Sequence, residues 1–599
     1  MRVFAPGDVN GTFGFTSAFT QGPDPIVGGT ATGDSVASLL LGFPASGAFN
    51  IGTPNDLYTH YIAGYVQDDF RVQANVSINA GVRYEFEQGL SERQNAFTVG
   101  FDREAPFPIQ VPGLNLRGGL MYAGVDGYPE HQGSPSRLNF GPRAGVAWSL
   151  DEQTVVRAGY GLFWAPSQIA QAFDQGALGT RGFTATTTYR FSTDGGLKPC
   201  DGCSLTNPFP EGLEQPQGAA LGLMTGVGGD IDFIDQTAES GYVHQFSVDL
   251  KRELPGRIAA SVGYLGSRSE RLAVGGTVDA RVNINQIDSR HLALGSALQA
   301  PVPNPFFGID AFGALSQSPT ITRGELLRPY PQFKNVYAHR VSTARARYNA
   351  LTLGLERRQY DGWGGRVNYV YSVRKDNQFG EGNSFSNNPP VALDNFDLDR
   401  EFGYSLLDTP HRFNVSGTLE LPFGEGRRWL GDSGLLSDIL GGWAVSGVGS
   451  YQSGFPVAVV QNNNNSGLLG SGQRPNIVPG IDPRLPGSFE DNYDPTCSCV
   501  RWLNPAAWSA AAPFTFGDAP HVDARVRTPL RTNWDLALHK THAISAVRVT
   551  VRVEVINVFD DPAFAGPRPA FGAPGSVFGV IDAVNGFPRT LQLMAKITW

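Results

Sequence analysis

A side-chain period of two, sustained over segments of about ten residues, is the strongest constraint on this chain. In Val76–Glu87 the apolar Val76, Ile78, Ala80, Val82, Tyr84 and Phe86 share one face, while Ser77, Asn79, Arg83, Glu85 and Glu87 share the other. Residues 413–421 repeat the pattern, with Phe413, Val415, Leu419 and Leu421 opposed to Asn414, Ser416, Thr418 and Glu420. In 547–555 five valines alternate with Arg548, Thr550, Arg552 and Glu554. In 591–599, Leu591, Leu593, Ala595, Ile597 and Trp599 alternate with Gln592, Lys596 and Thr598. Further segments at 61–72, 139–150, 154–164, 243–253, 257–265, 348–358, 365–374, 443–451 and 532–540 bring the expectation to about fourteen strands.

About ten residues is the length a tilted strand needs to cross a bilayer, whereas soluble strands average about five or six. Short links such as 254–257 and 360–363 alternate with very long Gly/Pro/Asn-rich ones such as 165–241 and 455–531. Loops of roughly 70 residues with no structure of their own are rare in compact soluble domains. The sequence therefore predicts an all-β chain, an antiparallel transmembrane β-barrel with long extracellular loops. Val, Leu and Tyr would face lipid, and Arg, Glu, Asn and Ser would face a wet lumen. In 547–555 this sends Val549, Val551 and Val553 to lipid and Arg548, Arg552 and Glu554 inward.

Composition agrees. Charged residues are 17% of the 599, against roughly 25% in soluble proteins, and 74 Gly, 42 Pro and 11% aromatics suit strands and turns rather than helices. The net charge of -9 offers no basic stripe for phosphate contacts, which excludes nucleic acid. No apolar run approaches the roughly 18 to 20 residues of a membrane helix, and the N-terminus does not read as a signal peptide.

Catalytic patterns are missing: no H-E-x-x-H, G-x-S-x-G or P-loop occurs, so no enzyme, cofactor or metal site is expected. His411 reads as an interfacial or lumenal residue at a strand start. Gly447 and Gly449 read as a bend or close packing in a strand rather than a phosphate cradle. Asp394, Asp397, Asp399 and Glu401 read as a solvated loop, lacking the spacing of a calcium loop. Asn462 to Asn465 read as a flexible exposed loop. Cys200 with Cys203, and Cys497 with Cys499, lie in loop sequence as close pairs. Disulfides within each pair are preferred there over a zinc site built from both.

The segments YIAGYVQDDFRVQANVSINAGVRYEFE (61–87), FGPRAGVAWSLDEQTVVRAGYGLFW (140–164) and VINVFDDPAF (555–564) resemble the barrel of TonB-dependent outer-membrane receptors. HQFSVDLKRELPGRIAASVGYLGSR, RPYPQFKNV, YNALTLGLERR, DTPHRFNVSGTLELPFGEGRRW and GWAVSGVGSYQSGFPVAV resemble its Oar-like subgroup. The resemblance implies the C-terminal part of a 22-stranded type barrel. Residues 1–599 would then be an N-terminally incomplete barrel, with signal peptide, regulatory-like sandwich, plug and about six to eight first strands absent.

It further implies TonB-energised uptake of a scarce, large ligand (peptide, glycan or chelate) at the bacterial outer membrane. The expected partners are outer-membrane lipid, the TonB complex through the missing N-terminal region, the barrel assembly machinery and an unknown ligand. Trp599, a terminal aromatic on an alternating strand, would be the assembly signal. No substrate-binding residue can be read from the sequence. Surface adhesion, a secretion-associated role or a passive porin remain the alternatives.

Overall fold

The computed structural model describes residues 2–3, 10–21, 33–166, 178–192, 198–200, 202, 204–274, 281–377, 392–431, 434–544, 546–572 and 578–599. Thirteen strands form one continuous antiparallel sheet in which each pairs with its neighbours in sequence. They are β1 (Tyr61–Gln73), β2 (Val76–Glu87), β3 (Asn139–Ser149), β4 (Thr154–Ala165), β5 (Gly241–Leu254), β6 (Ile258–Leu272) and β7 (Ala344–Tyr360). The rest are β8 (Trp363–Asp376), β9 (His411–Glu420), β10 (Trp443–Gln452), β11 (Arg531–Ile544), β12 (Val547–Ile556) and β13 (Thr590–Thr598). A short strand, Gly403–Tyr404, adds a fourteenth by pairing with the end of β8.

The register keeps the two faces largely separate, with Asp68 opposite Ala80 and Lys540 opposite Val551 as charged members of the apolar face. One cross-strand row runs Ile78, Val146, Ala158, Val248, Tyr264, Leu351 and Tyr371. On the last strands Val549, Val551, Val553 and Val555 pair with Ile597, Ala595, Leu593 and Leu591. The opposite face holds Arg157 beside Asp249, Arg552 beside His539, and Glu554 beside Gln592. A slip of one residue at any strand would turn its charged side chains onto the apolar face. The apolar face is exposed, Ile78, Val248, Leu351 and Leu593 among it, so the sheet is not half of a soluble sandwich.

Several strands outrun their alternating segments: β6 ends at Leu272 and β7 begins at Ala344, beyond the expected 257–265 and 348–358. Ladder hydrogen bonding continues there, but with water on both faces the side chains no longer need to alternate.

The hairpins at one end are tight. The β7–β8 turn places Asp361 and Gly362 at φ 50° and 79°, the left-handed pair that matches the strand twist. Of the links at this end, 421–442 is the longest and carries a short helix, Leu435–Leu440, with Leu435, Leu436 and Ile439 exposed. At the other end the links 88–138, 166–240, 273–343, 377–410, 453–530 and 557–589 are long, and their described residues are not the structureless loops the sequence suggested.

These long links hold the molecule's buried core. Phe101, Phe107 and Leu120 of the first link pack with Phe233 of the second and with Phe306, Phe312, Phe333 and Val336 of the third. Asp230–Ile234 pairs in parallel with Asn335–His339, which in turn pairs with Arg281–Asn283. Buried Asn285 clamps the centre, its side-chain amide donating to the carbonyls of Tyr330 at 3.0 Å and Phe333 at 2.9 Å while its Oδ1 accepts from Tyr330 N at 2.8 Å. A second cluster joins Val457, Trp502, Trp508 and Val526 to Ile581 of the last link. Each buried aromatic contributes about 1.5 to 3 kcal/mol relative to exposure. Sequence reasoning missed these cores because their contacts come from far-apart links and follow no fixed period.

Candidate ligand-recognition surfaces

The polar face of β7 to β12 forms a hollow of about 700 Å³ lined by Glu356, Arg366, Thr418, Ser446, Asp535 and Glu554. Its charges are paired along the wall. Glu356 forms ion pairs with Arg366 at 3.2 Å and Lys251 at 4.0 Å, and Arg552 pairs with Glu554. Thr418 and Ser446 hydroxyls meet at 2.9 Å. Such a surface presents alternating donors and acceptors to water or a polar solute and contains no strong nucleophile beside a base.

The apolar face carries aromatic residues at both strand ends. Tyr84 lies 5.0 Å from Phe140 and Trp164 lies 5.1 Å from Tyr242 at the long-link end. Tyr360, Trp363 and Trp443 mark the short-turn end. His411 belongs to the first belt: its Nδ1 meets the Tyr369 hydroxyl at 2.7 Å, as His244 meets Tyr160 at 2.8 Å. It is therefore an interfacial residue. Two aromatic belts flanking an apolar band on one face, with a polar opposite face, is the arrangement that a membrane imposes on a barrel wall.

The chain belongs to the outer membrane beta barrel domain family. That family matches residues 1–592, and it places the wall in the outer membrane, with short turns toward the periplasm and long loops outside. The family comprises membrane barrels and not enzymes. No curated protein matches the chain. Among solved structures, the ferripyoverdine receptor of the outer membrane of Pseudomonas aeruginosa is 12% identical, with a TM-score of 0.36 over 95% of this chain and 41% of that one. The outer membrane transporter YddB from Escherichia coli is 9% identical, with a TM-score of 0.38 over 92% of this chain and 55% of that one. The chain thus spans about half or less of the length of these proteins.

Outside the membrane, the barrel's loops form a hollow of about 580 Å³ lined by Phe489, Tyr493, Cys499, Phe564 and Val584, with Glu490 and Asp582 as acidic members. Phe489 stacks on Phe564 at 4.5 Å and on Trp502 at 5.3 Å, making a flat aromatic wall. The Thr496 hydroxyl and the Arg501 guanidinium hold Asp494 nearby at about 2, so it stays ionised. Nothing periodic marks these residues. The usable signal was the cluster of Phe489, Tyr493 and Trp502 around the C-x-C sequence.

Cys497 and Cys499 are joined by a disulfide in this loop. Cys200 is also disulfide-bonded, whereas Cys203 lies outside the described residues. Trp599 follows β13 and is 94% exposed. Among the described residues no three His, Cys, Asp or Glu are grouped to hold a metal.

The acidic run is only half the solvated loop the sequence suggested: Asp397 and Asp399 are exposed, whereas Asp394 and Glu401 are buried. Glu401 is fully buried and accepts from Arg474 at 2.5 Å, Asp397 caps a helical turn through Arg400 N, and Asp394 accepts from Phe396 N. His521 packs there with its Nδ1 3.0 Å from the Glu401 carbonyl oxygen, and burial together with the Arg474 charge pushes it down to about 3. The asparagine run is likewise an ordered turn. Asn464 donates to Ser471 O, and Asn465 donates to Ala511 O while accepting from Gln461 and Gln473.

Proposed function

We propose that this chain supplies the wall and external loops of a TonB-dependent receptor of the Oar-like subgroup, taking up a scarce, large ligand such as a peptide, a glycan or a chelate. The reading rests on one observation. The wall has a polar hollow on its lumenal face, and the long links at one end only are folded and carry an aromatic hollow of their own. A passive pore needs the lumen alone, whereas loops with their own cores provide a rigid capture surface.

In this reading a plug and TonB-contacting segment belong to the rest of the parent protein. Among the described strands β1 pairs only with β2 and β13 only with β12. Further strands of the parent would cover those two edges, because lipid leaves no solvent to satisfy them. Trp599 is assigned as the signal read by the barrel assembly machinery. Deleting it should lower the amount of inserted, heat-modifiable barrel and leave ligand affinity of the inserted fraction unchanged.

The test is accumulation of labelled peptides, oligosaccharides and ferric chelates by cells carrying the parent protein, with and without functional TonB. One ligand class should accumulate only when TonB works. Uptake indifferent to TonB would make the protein a passive pore, and surface binding without accumulation would make it an adhesin.

A further inference from the structure

A gap three strands wide interrupts the lipid face of the wall. Arg357, Gly365, Gly417 and Gly447 occupy a single cross-strand row on β7, β8, β9 and β10. Three adjacent strands there offer the membrane no side chain. The neighbouring rows rise on either side, with Leu355, Val367 and Val415 in one and Trp363, Leu419 and Val445 in the other. Between them lies a groove of about 580 Å³, whose far side is closed by Leu536 and Trp534. This is the size of a ligand pocket, but it opens into hydrocarbon.

The glycines are required by the strand contacts. A Cβ on Gly365 would stand 2.8 Å from Ser416 O, and one on Gly417 would stand 3.0 Å from Gly364 O. Because Trp363 begins β8 at the short-turn end, the groove lies in the periplasmic half of the membrane.

Arg357 terminates this row. Its Nε donates to Gly256 O at 3.0 Å, and its Nη1 donates to Tyr360 O at 2.8 Å and to Trp363 O at 2.7 Å. The guanidinium lies 3.8 Å from the Trp363 ring centroid. These partners carry no charge, and among the described residues no carboxylate pairs with it. Arg257 lies one turn away, 3.8 Å over the Tyr360 ring. Arg357, 9% exposed, lines the trough and Arg257 stands in the adjoining turn, and among the described residues neither has a carboxylate partner, so an anionic oxygen at the interface would complete their bonding.

We propose that this groove seats one phospholipid of the periplasmic leaflet. An acyl chain lies on the Gly365–Gly417–Gly447 floor, and the phosphate sits against Arg357 and Arg257. The chemistry is that of a two-part ligand. The trough excludes headgroups, and the arginines distinguish a phosphate ester from a neutral lipid. The inference is independent of what the receptor transports.

Folded barrel, purified from outer membranes and delipidated, can be offered phosphatidylglycerol, diacylglycerol with the same acyl chains, or inorganic phosphate, and weighed by native mass spectrometry. One phosphatidylglycerol per chain should be retained, with diacylglycerol held about tenfold more weakly and phosphate alone not at all. Arg257→Gln, which touches only an aromatic ring, should weaken phosphatidylglycerol several-fold. Gly447→Leu should abolish retention while heat-modifiable mobility stays normal. Should that variant not fold, Val415→Trp fills the groove from its wall and carries the same expectation. Equal retention of phosphatidylglycerol and diacylglycerol, or undiminished retention by the folded groove-filling variant, overturns the proposal.

Discussion

The wall strands expose Val, Leu and Tyr side chains such as Val248, Leu351 and Tyr264, whereas the links above them bury Phe and Trp side chains such as Phe101, Phe233 and Trp508. Both regions draw on the same residue types but are held by different forces. In the wall each strand between β1 and β13 is fixed by two ladders, and lipid enforces pairing because an unsatisfied backbone group costs several kcal/mol there. In the loop body, water drives Phe101, Phe233 and Phe333 together, and polar clamps such as Asn285 fix the arrangement. Apolar content alone does not say where a core is. The partner medium decides.

If the forces differ, the two regions should fail separately. The largest expected effect is Phe101→Ala, which removes a fully buried ring at the junction of three links. It should cost about 3 to 5 kcal/mol and appear as protease cleavage of the external loops while the wall keeps its heat-modifiable mobility. A wall that unfolded with it would break the distinction. Glu401→Ala strands the buried Arg474 charge and should destabilise the loop body by a similar amount, about 3 to 5 kcal/mol, measured by the same digestion.

On the wall, Val551→Arg places a charge on the lipid face and should cost about 2 to 4 kcal/mol in reversible folding into vesicles. Acid should loosen the loop body before the wall. The unfolded His521 takes up a proton below about pH 6.5 and the folded one only near 3, so the unfolded state binds more protons throughout that window and stability falls as pH falls through it. Between pH 6.5 and 5 the loss is about 2 kcal/mol, and His521→Gln should remove that slope. The smallest effect is Arg552→Ala, on the lumenal face beside Glu554, at less than ~1 kcal/mol. A cost matching that of Val551→Arg would reverse the assignment of the faces.

The wall was legible because a membrane writes a period of two into every strand that crosses it. Val76–Glu87 and Val547–Ile556 appear as strands at or within a residue of their alternating segments. The β6 and β7 ends were not legible, since above the membrane the ladder continues without alternation. The loop cores were invisible for another reason: Phe233 meets Phe101 at 5.3 Å, a contact no local pattern encodes. The acidic run misled because composition reports charge but not the partner that neutralises it. Arg474 lies in a different link from Glu401. The groove residues Gly447 and Gly449 were read as a bend or close packing. That describes their strand contacts and omits the surface they leave open to lipid.

The wall's pairings join only strands adjacent in sequence, while Gln332 reaches across the loop body to the carbonyl of Arg117 at 2.8 Å, 215 residues away. The two therefore cannot mature on the same schedule. Where hairpins enter the membrane one after another, each closing a short contour, the link that carries Phe101 and Leu120 would cross first and hold those rings bare until 330–338 follows. During biogenesis the outward surface thus passes through an interval of exposed aromatic side chains, set by the arrival of β7 and not by any property of the loops themselves. In that interval proteases and aggregation have their opening.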